Sequence, residues 1–392
     1  MVKQFNFRRT FAAACMGMLL FGVVIITLGS MLPSLVTKFQ LDEIKAGTLT
    51  ALLPSGILVG SLVFGPIVDR HSYKYLLITC VVLIMIGIEG IAFTENMQVL
   101  HFSIFSIGLG GGAINGGTNA LVADISNSNP SRQSANLSLL GVFFGVGALG
   151  MPSLLGLLSE SFTNYHILAV IGLVLILPIL FFTFTKFPQP KQARSIPLKN
   201  ILGMIKDTSL LLLGLILFFQ SGVEGIVNNW VTLFLQTDAN FLPEDALYVL
   251  SLFILSLTIT RILLAILLNF IRPYIILIIS VLMVVIGTLC LIMPEVPAQE
   301  IFGLVLLGAG LAAGFPVILG YASALYPKSS GTVFSLVFVI ALAGNILLNF
   351  MMGIFAHNQG VGVFTKLLLI CAVCLIVVLL ITLNKISSKI KI

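Results

Sequence analysis

Apolar residues in this chain fall in runs of about twenty, parted by short polar breaks, from near the start of the sequence to near its end. A helix crosses the hydrocarbon core of a bilayer in about 20 residues, whereas a membrane barrel needs alternating segments of about ten. No such alternation is present. The runs predict twelve spans, over 11–36, 46–68, 74–94, 98–124, 131–159, 164–186, 208–236, 245–270, 272–293, 298–326, 329–356 and 361–384. The division of 245–293 into two helices rests on Asn269 and on Arg272-Pro273. The expected fold is therefore an all-α polytopic membrane protein. Composition agrees: 58% of the 392 residues are hydrophobic and 9% charged, against about 25% charged in a soluble domain.

The longest polar break, 187–206, holds Pro188, Pro190, Lys191, Arg194 and Lys199, and it separates six spans from six. It predicts an amino-terminal bundle over 1–186, a linker over 187–206 and a carboxy-terminal bundle over 207–392. The halves share a trace of internal similarity. Gly108-Leu-Gly110 recurs as Gly308-Ala-Gly310, in the fourth span of each half. Parallel six-helix repeats around a site near the midplane are a transporter plan. With the amino terminus inside, the inner breaks carry nearly all the bases, among them Arg8, Arg9, Lys74, Arg132, Lys186, Arg272 and Lys328. The outer breaks carry only Lys38, Lys45 and Lys366. This asymmetry predicts that both termini are cytoplasmic, in a multi-pass protein of the cell (inner) membrane. The net charge of +6 is thus a topology signal and predicts no nucleic-acid partner. Span one lacks a small-residue cleavage site and is expected to stay. Cys15, Cys80, Cys290, Cys371 and Cys374 all lie in apolar runs and read as packing residues.

Polar side chains inside the spans narrow the function. Charge near the bilayer centre costs about 2.5–3.5 kcal/mol even on mild scales, so intramembrane ions are functional candidates. Glu89, Glu224 and Arg261 are the three. Gln220, Glu224 and Asn228 recur every four residues and form one polar stripe, with Asn229 and Trp230 beside it. By a rise of about 1.5 Å per residue, Glu224 lies roughly 22 Å and Arg261 roughly 14 Å above the inner ends of their helices. A long arginine can span that difference, which allows a Glu224–Arg261 pair. Glu89 reads equally as a structural polar group. In span four, Gly108–Asp124 carries six glycines together with Asn115 and Asn119, which share a helix face and are expected to line a path. Asn345 and Asn349 repeat that spacing in span eleven, as cavity residues or as glue between close helices. Trp230 either stacks on the apolar face of a solute or anchors the outer interface.

The break after span two reads Gly65-Pro-Ile-Val-Asp69-Arg70-His71-Ser72-Tyr73-Lys74, and it resembles the signature between helices two and three of the major facilitator superfamily. Ser72 stands where that family usually has glycine, and Tyr73 where a base is usual. The resemblance implies a major facilitator fold of two six-helix repeats and an inner gate made of Asp69, Arg70, Lys74 and Asp124. Asp69 would face the start of span eleven near 329–331, and Arg70 would pair with Asp124. Four further stretches are similar to fucose:proton symporters and sodium-dependent glucose transporters: 110–122, 136–148, Val223-Glu-Gly-Ile-Val-Asn-Asn-Trp230 and Tyr326–Ser335. Asn115 occupies the place of the fucose symporters' proton-binding glutamate, so the coupling charge is sought at Glu224, Glu89 and Arg261. The resemblance implies a secondary transporter of a small polar solute, a sugar, driven by a proton or sodium gradient. Asn115, Asn119, Gln220, Asn228, Asn229, Trp230, Asn345 and Asn349 would contact that solute. An efflux carrier for drugs or lipids shares the fold, and Gly145, Gly147, Gly150 and Pro152 loosely suit it. No cofactor, metal or partner chain is expected, and the protein is expected to be a monomer in the bilayer. Neither a nucleophile–base set nor a metal-ligand spacing is present, which argues against an enzyme.

Overall fold

The structure is a computed structural model describing residues 5–126, 130–188, 207–268, 270–292, 296–325 and 330–386. Most of the 187–206 break therefore lies outside the described residues. The first half contains α1 (Phe7–Phe39), α2 (Glu43–His71), α3 (Tyr73–Phe93), α4 (Met97–Ile125), α5 (Pro130–Leu158), α6 (Asn164–Val174) and α7 (Ile176–Phe184). The second contains α8 (Thr208–Thr237), α9 (Pro243–Leu267), α10 (Pro273–Ile292), α11 (Pro297–Leu311), α12 (Gly314–Leu325), α13 (Ser330–Gln359) and α14 (Val363–Ile386). Among the described residues there are no strands, and twelve helical stretches are long and apolar enough to span a membrane.

Two predicted spans are interrupted. Span six divides at Leu175 into α6 and α7, and span ten divides at Ala312-Ala313 into α11 and α12. Proline explains both. It has no N–H for the carbonyl four residues back, and its ring crowds that carbonyl. For Pro178 the deprived residue is Val174, the last of α6, and for Pro316 it is Ala312, the first residue after α11. The contested 245–293 stretch is two helices, separated at Arg272-Pro273.

Contacts within the chain sort it into two units. One comprises 1–42, 48–194 and 243–247, and the other comprises 43–47, 195–242 and 248–392. In the first, α1 packs along α5 and α4, and α3 packs along α4 and α6. In the second, α8 packs along α13 and α14, and α10 packs along α11 and α14. The closest approaches run over glycine, and they repeat between the units in a common register. A Cβ on Gly87 would sit 2.6 Å from the Ser103 carbonyl oxygen and 3.1 Å from the Ile107 nitrogen. A Cβ on Gly287 would meet the Gly303 oxygen at 2.6 Å and the Leu307 nitrogen at 3.0 Å, each partner 200 positions on. Gly110 lies against Cys80 and Ile84, and Gly310 against Ser280 and Val284. Gly108 lies against Leu53, and Gly308 against Phe253. The faint Gly108/Gly308 similarity thus marks one internal packing scheme used twice.

Helix α1 meets α5 where Gly147 faces the Leu19 carbonyl, and α8 meets α13 where Gly344 faces the Phe218 carbonyl. Without a hydrophobic force between helices in lipid, such close backbone contact supplies much of the association energy. Gly150, one turn beyond Gly147, has open space where a Cβ would go. Gly147→Ala is expected to lower the thermal midpoint of the detergent-purified protein, by an overpacking cost of about 1–3 kcal/mol. Gly150→Ala should leave it unchanged or raise it slightly.

Ser72 joins α2 to α3 at φ 119 and ψ 159. Essentially only glycine adopts that region without strain, at a cost of about 1–3 kcal/mol for other residues. This explains the glycine expected at that position in the resembling family. Ser72→Gly is expected to raise the same midpoint, and an unchanged midpoint would argue against strain there.

Candidate functional site

The four predicted gate residues are only partly described. The α2 backbone covers Asp69 and Arg70, but their side chains lie outside the described residues, and so do residues 326–329. Asp124, at the end of α4, accepts a 2.6 Å hydrogen bond from the buried phenol of Tyr73. Tyr73, standing where a base is usual, thus supplies a neutral donor to this carboxylate. Lys74 Nζ donates to the Thr183 carbonyl oxygen at 2.6 Å, near the end of α7. A cation there suits the unsatisfied carbonyls of a helix terminus.

Further along α4, Asn115 and Asn119 engage each other. Asn119 Nδ2 donates to the Asn115 carbonyl oxygen at 2.9 Å and to Asn115 Oδ1 at 3.0 Å. Glu89 sits elsewhere, on α3, where its Oε1 presses against Gly172 of α6 and has no hydrogen-bond partner. Only the missing side chain of Gly172 leaves room for it.

The second unit brings together most of the predicted polar residues. Arg261 Nη2 of α9 lies 3.7 Å from Glu224 Oε1 of α8, an ion pair longer than a hydrogen bond. The pair allowed by the height arithmetic is formed. The other oxygen, Glu224 Oε2, is buried and has no hydrogen-bond partner. One turn above, Asn228 Oδ1, Asn229 Oδ1 and Trp230 Nε1 are also buried without partners. Such atoms normally cost about 1–3 kcal/mol each when left unsatisfied, so four on a single helix mark a place built for polar contact. Trp230 is 0% exposed, which an anchor at the outer interface would not be.

Asn345 and Asn349 of α13 face α8. Asn345 Nδ2 donates to the Ser221 carbonyl oxygen at 2.9 Å. Asn349 Nδ2 donates to the Asn345 carbonyl oxygen at 2.9 Å and to Asn345 Oδ1 at 3.0 Å. Asn229 Nδ2 in turn donates to Asn349 Oδ1 at 3.1 Å. Gly225 makes this approach feasible, because a Cβ there would collide with the Asn345 amide.

Gln220 departs from its expected neighbourhood. Its Nε2 donates to the Leu311 carbonyl oxygen at 2.7 Å, and its amide fills the space over Gly314 where a side chain would begin. It wedges into the interruption between α11 and α12 and satisfies a carbonyl exposed by the break. The register of the first unit places Leu20 opposite, on α1, and there α4 continues unbroken through Gly112 and Ala113. Sequence reasoning missed two of these residues. Tyr73 carried a signal as an unusual residue in a recognised turn, and Pro316 marked the break, whereas nothing local pointed Gln220 toward Leu311.

The Major Facilitator Superfamily model matches residues 13–297. The glucose/mannose transporter GlcP of Bacillus subtilis (strain 168) is 24% identical over 376 residues, covering 89% of each chain. Among solved structures, a nucleoside transporter NupG mutant superposes with a TM-score of 0.81 at 13% identity, over 97% of this chain and 99% of that one. A D-xylose-proton symporter superposes with a TM-score of 0.78 at 15% identity, over 94% of this chain and 96% of its own.

Removing the wedge tests its role. Gln220→Leu should lower stability by about 1–3 kcal/mol, the cost of an unsatisfied buried carbonyl, read as a lower thermal midpoint. Gln220→Asn, too short to reach, should behave alike. Midpoints equal to the parent's would show that the Leu311 carbonyl does not need this amide.

Proposed function

The chain belongs to the Major Facilitator Superfamily, and on that footing we propose that it is a secondary transporter carrying a sugar-sized polar solute across the membrane, driven by a proton or sodium gradient. It is a multi-pass membrane protein, with both termini on the cytoplasmic side in this reading. The observation that carries the proposal is the concentration of buried polar atoms on α8: the Glu224–Arg261 ion pair, the free Glu224 oxygen and three unpartnered atoms on Asn228, Asn229 and Trp230. A lipid-embedded helix tolerates such atoms where they meet solute, ion or water.

The chemistry of coupling follows from the ion pair. Removal from water disfavours a charged carboxylate, and a neighbouring guanidinium favours it. Protonation or ion binding at Glu224 weakens its hold on Arg261, and loss of the ion restores it. Access to that carboxylate from alternate sides then ties ion movement to solute movement with no covalent step. The sugar class is supported by the relative named as a glucose/mannose transporter and by the fold shared with the xylose-proton symporter. Trp230 offers a flat apolar face and one donor, which suits the carbon face and ring oxygens of a sugar.

The test is uptake into proteoliposomes of labelled glucose, mannose, xylose and arabinose, with proton and sodium gradients imposed in turn. Accumulation of one of them under one gradient is expected. No uptake of any sugar, together with outward movement of a lipophilic cation, would overturn the proposal in favour of an efflux carrier.

Glu224→Gln is expected to keep solute counterflow while its gradient-driven accumulation ratio falls to about one, since the neutral amide cannot exchange a proton. Accumulation equal to the parent protein's would remove Glu224 from the coupling role.

A further inference from the structure

The amides of α13 do more than pair with α8, because their hydrogen bonds have a direction. Asn345 Nδ2 and Asn349 Nδ2 each meet a backbone carbonyl oxygen, on Ser221 and on Asn345. A carbonyl oxygen only accepts, so both amides must present their NH2 groups there. This leaves Asn349 Oδ1 as the group facing Asn229, and Asn229 must answer with its own NH2 at 3.1 Å. Its remaining polar atom, Oδ1, is the end of the relay. That oxygen is buried and unpartnered, on a residue 4% exposed, beside the equally unpartnered Asn228 Oδ1 on a residue 7% exposed. Turning the Asn229 amide over would set its oxygen against Asn349 Oδ1, two acceptors with no proton between them.

We infer that Asn229 Oδ1 is an obligatory acceptor for the transported solute, locked in that polarity by Asn345 and Asn349, so that the solute must present a hydroxyl or N–H donor to it. The inference rests on the solute-carrier reading above. It divides the predicted contact residues by role. Asn229 touches the solute, whereas Asn345 and Asn349 are positioning residues whose polar groups are engaged with α8 and with each other. It also gives the site a chemical preference. The unpartnered atoms of α8 are two acceptors, Glu224 Oε2 and Asn229 Oδ1, one donor, Trp230 Nε1, and the Asn228 amide, which no hydrogen bond orients. Arg261, the cation nearby, is already paired with Glu224. Such a set favours a neutral polyol, rich in donors, and disfavours a carboxylate, which brings acceptors only. A buried polar group left unpaired is what lets a site reject an analogue lacking one hydroxyl.

Fluorine in place of a hydroxyl keeps size and polarity and removes the donor, so it reads this directly. The experiment is counterflow in proteoliposomes of the full chain. The sugar exchanged best by the parent protein competes with each of its monodeoxy-monofluoro analogues. One fluorinated position is expected to bind about 10- to 100-fold more weakly than the parent sugar. In Asn229→Ala the parent sugar should weaken to the level of that analogue, and the ratio between them should fall to about one. Asn349→Ala frees the Asn229 amide to turn, and the ratio should fall there too. Fluoro-analogues all bound as well as the parent sugar, or a ratio unchanged in Asn229→Ala, would overturn the inference and leave the transporter reading standing. Failure to exchange any of the four sugars would overturn both. The analogue series on the unaltered protein needs no variant to fold.

Discussion

Hydrocarbon offers no hydrogen bonds, so every polar group carried into a spanning helix has to be satisfied by the protein, by water or by cargo. Most of the arrangement follows from that constraint. Hydroxyls inside spans turn back onto their own helix, as Thr27 does to the Val23 carbonyl and Thr382 to the Val378 carbonyl. At the break in span ten a side chain fills the gap, Gln220 donating to the Leu311 carbonyl. Where two amides lie a turn apart, they bond to each other, as in α4 and α13. Single unpartnered atoms occur elsewhere, as at Glu89 Oε1, but four fall together on α8, where the rule is most clearly suspended.

The two units use one packing scheme and diverge in chemistry. Glycine contacts between the third and fourth spans recur 200 positions apart, backbone against backbone. In the same register, Glu224 corresponds to Val24, Gln220 to Leu20 and Arg261 to Ser61. Small residues at helix contacts are demanded by geometry, so both copies keep them. The Glu224–Arg261 pair is not demanded by packing, and only the second copy carries it. The break in span ten follows the same division: Gly116 stands in α4 where Pro316 stands in span ten, and Leu20 has no amide to support an opened carbonyl.

The turn between α2 and α3 shows how a motif tolerates exchange. Ser72 occupies a backbone conformation suited to glycine, and Tyr73 donates to Asp124 through its phenol. A neutral donor holds a carboxylate less firmly than a cation does, since charge-assisted hydrogen bonds are roughly twice as strong.

Hydropathy and helical spacing are local properties, and what depends on them was legible in the sequence by itself: twelve spanning helices, the division at Arg272-Pro273, the paired glycine stretches and the polar stripe on α8. Pro178 and Pro316 are equally local, and each breaks a span where its missing N–H falls. The Glu224–Arg261 pair was within reach of arithmetic because rise per residue sets height. Partners were not legible. Gln220 and Leu311 are 91 positions apart, and Asn229 and Asn349 are 120 apart. An amide can present either a donor or an acceptor, and no spacing rule says which. Only the tertiary structure decided that, by setting backbone carbonyls against Asn345 and Asn349, and with them the polarity of Asn229.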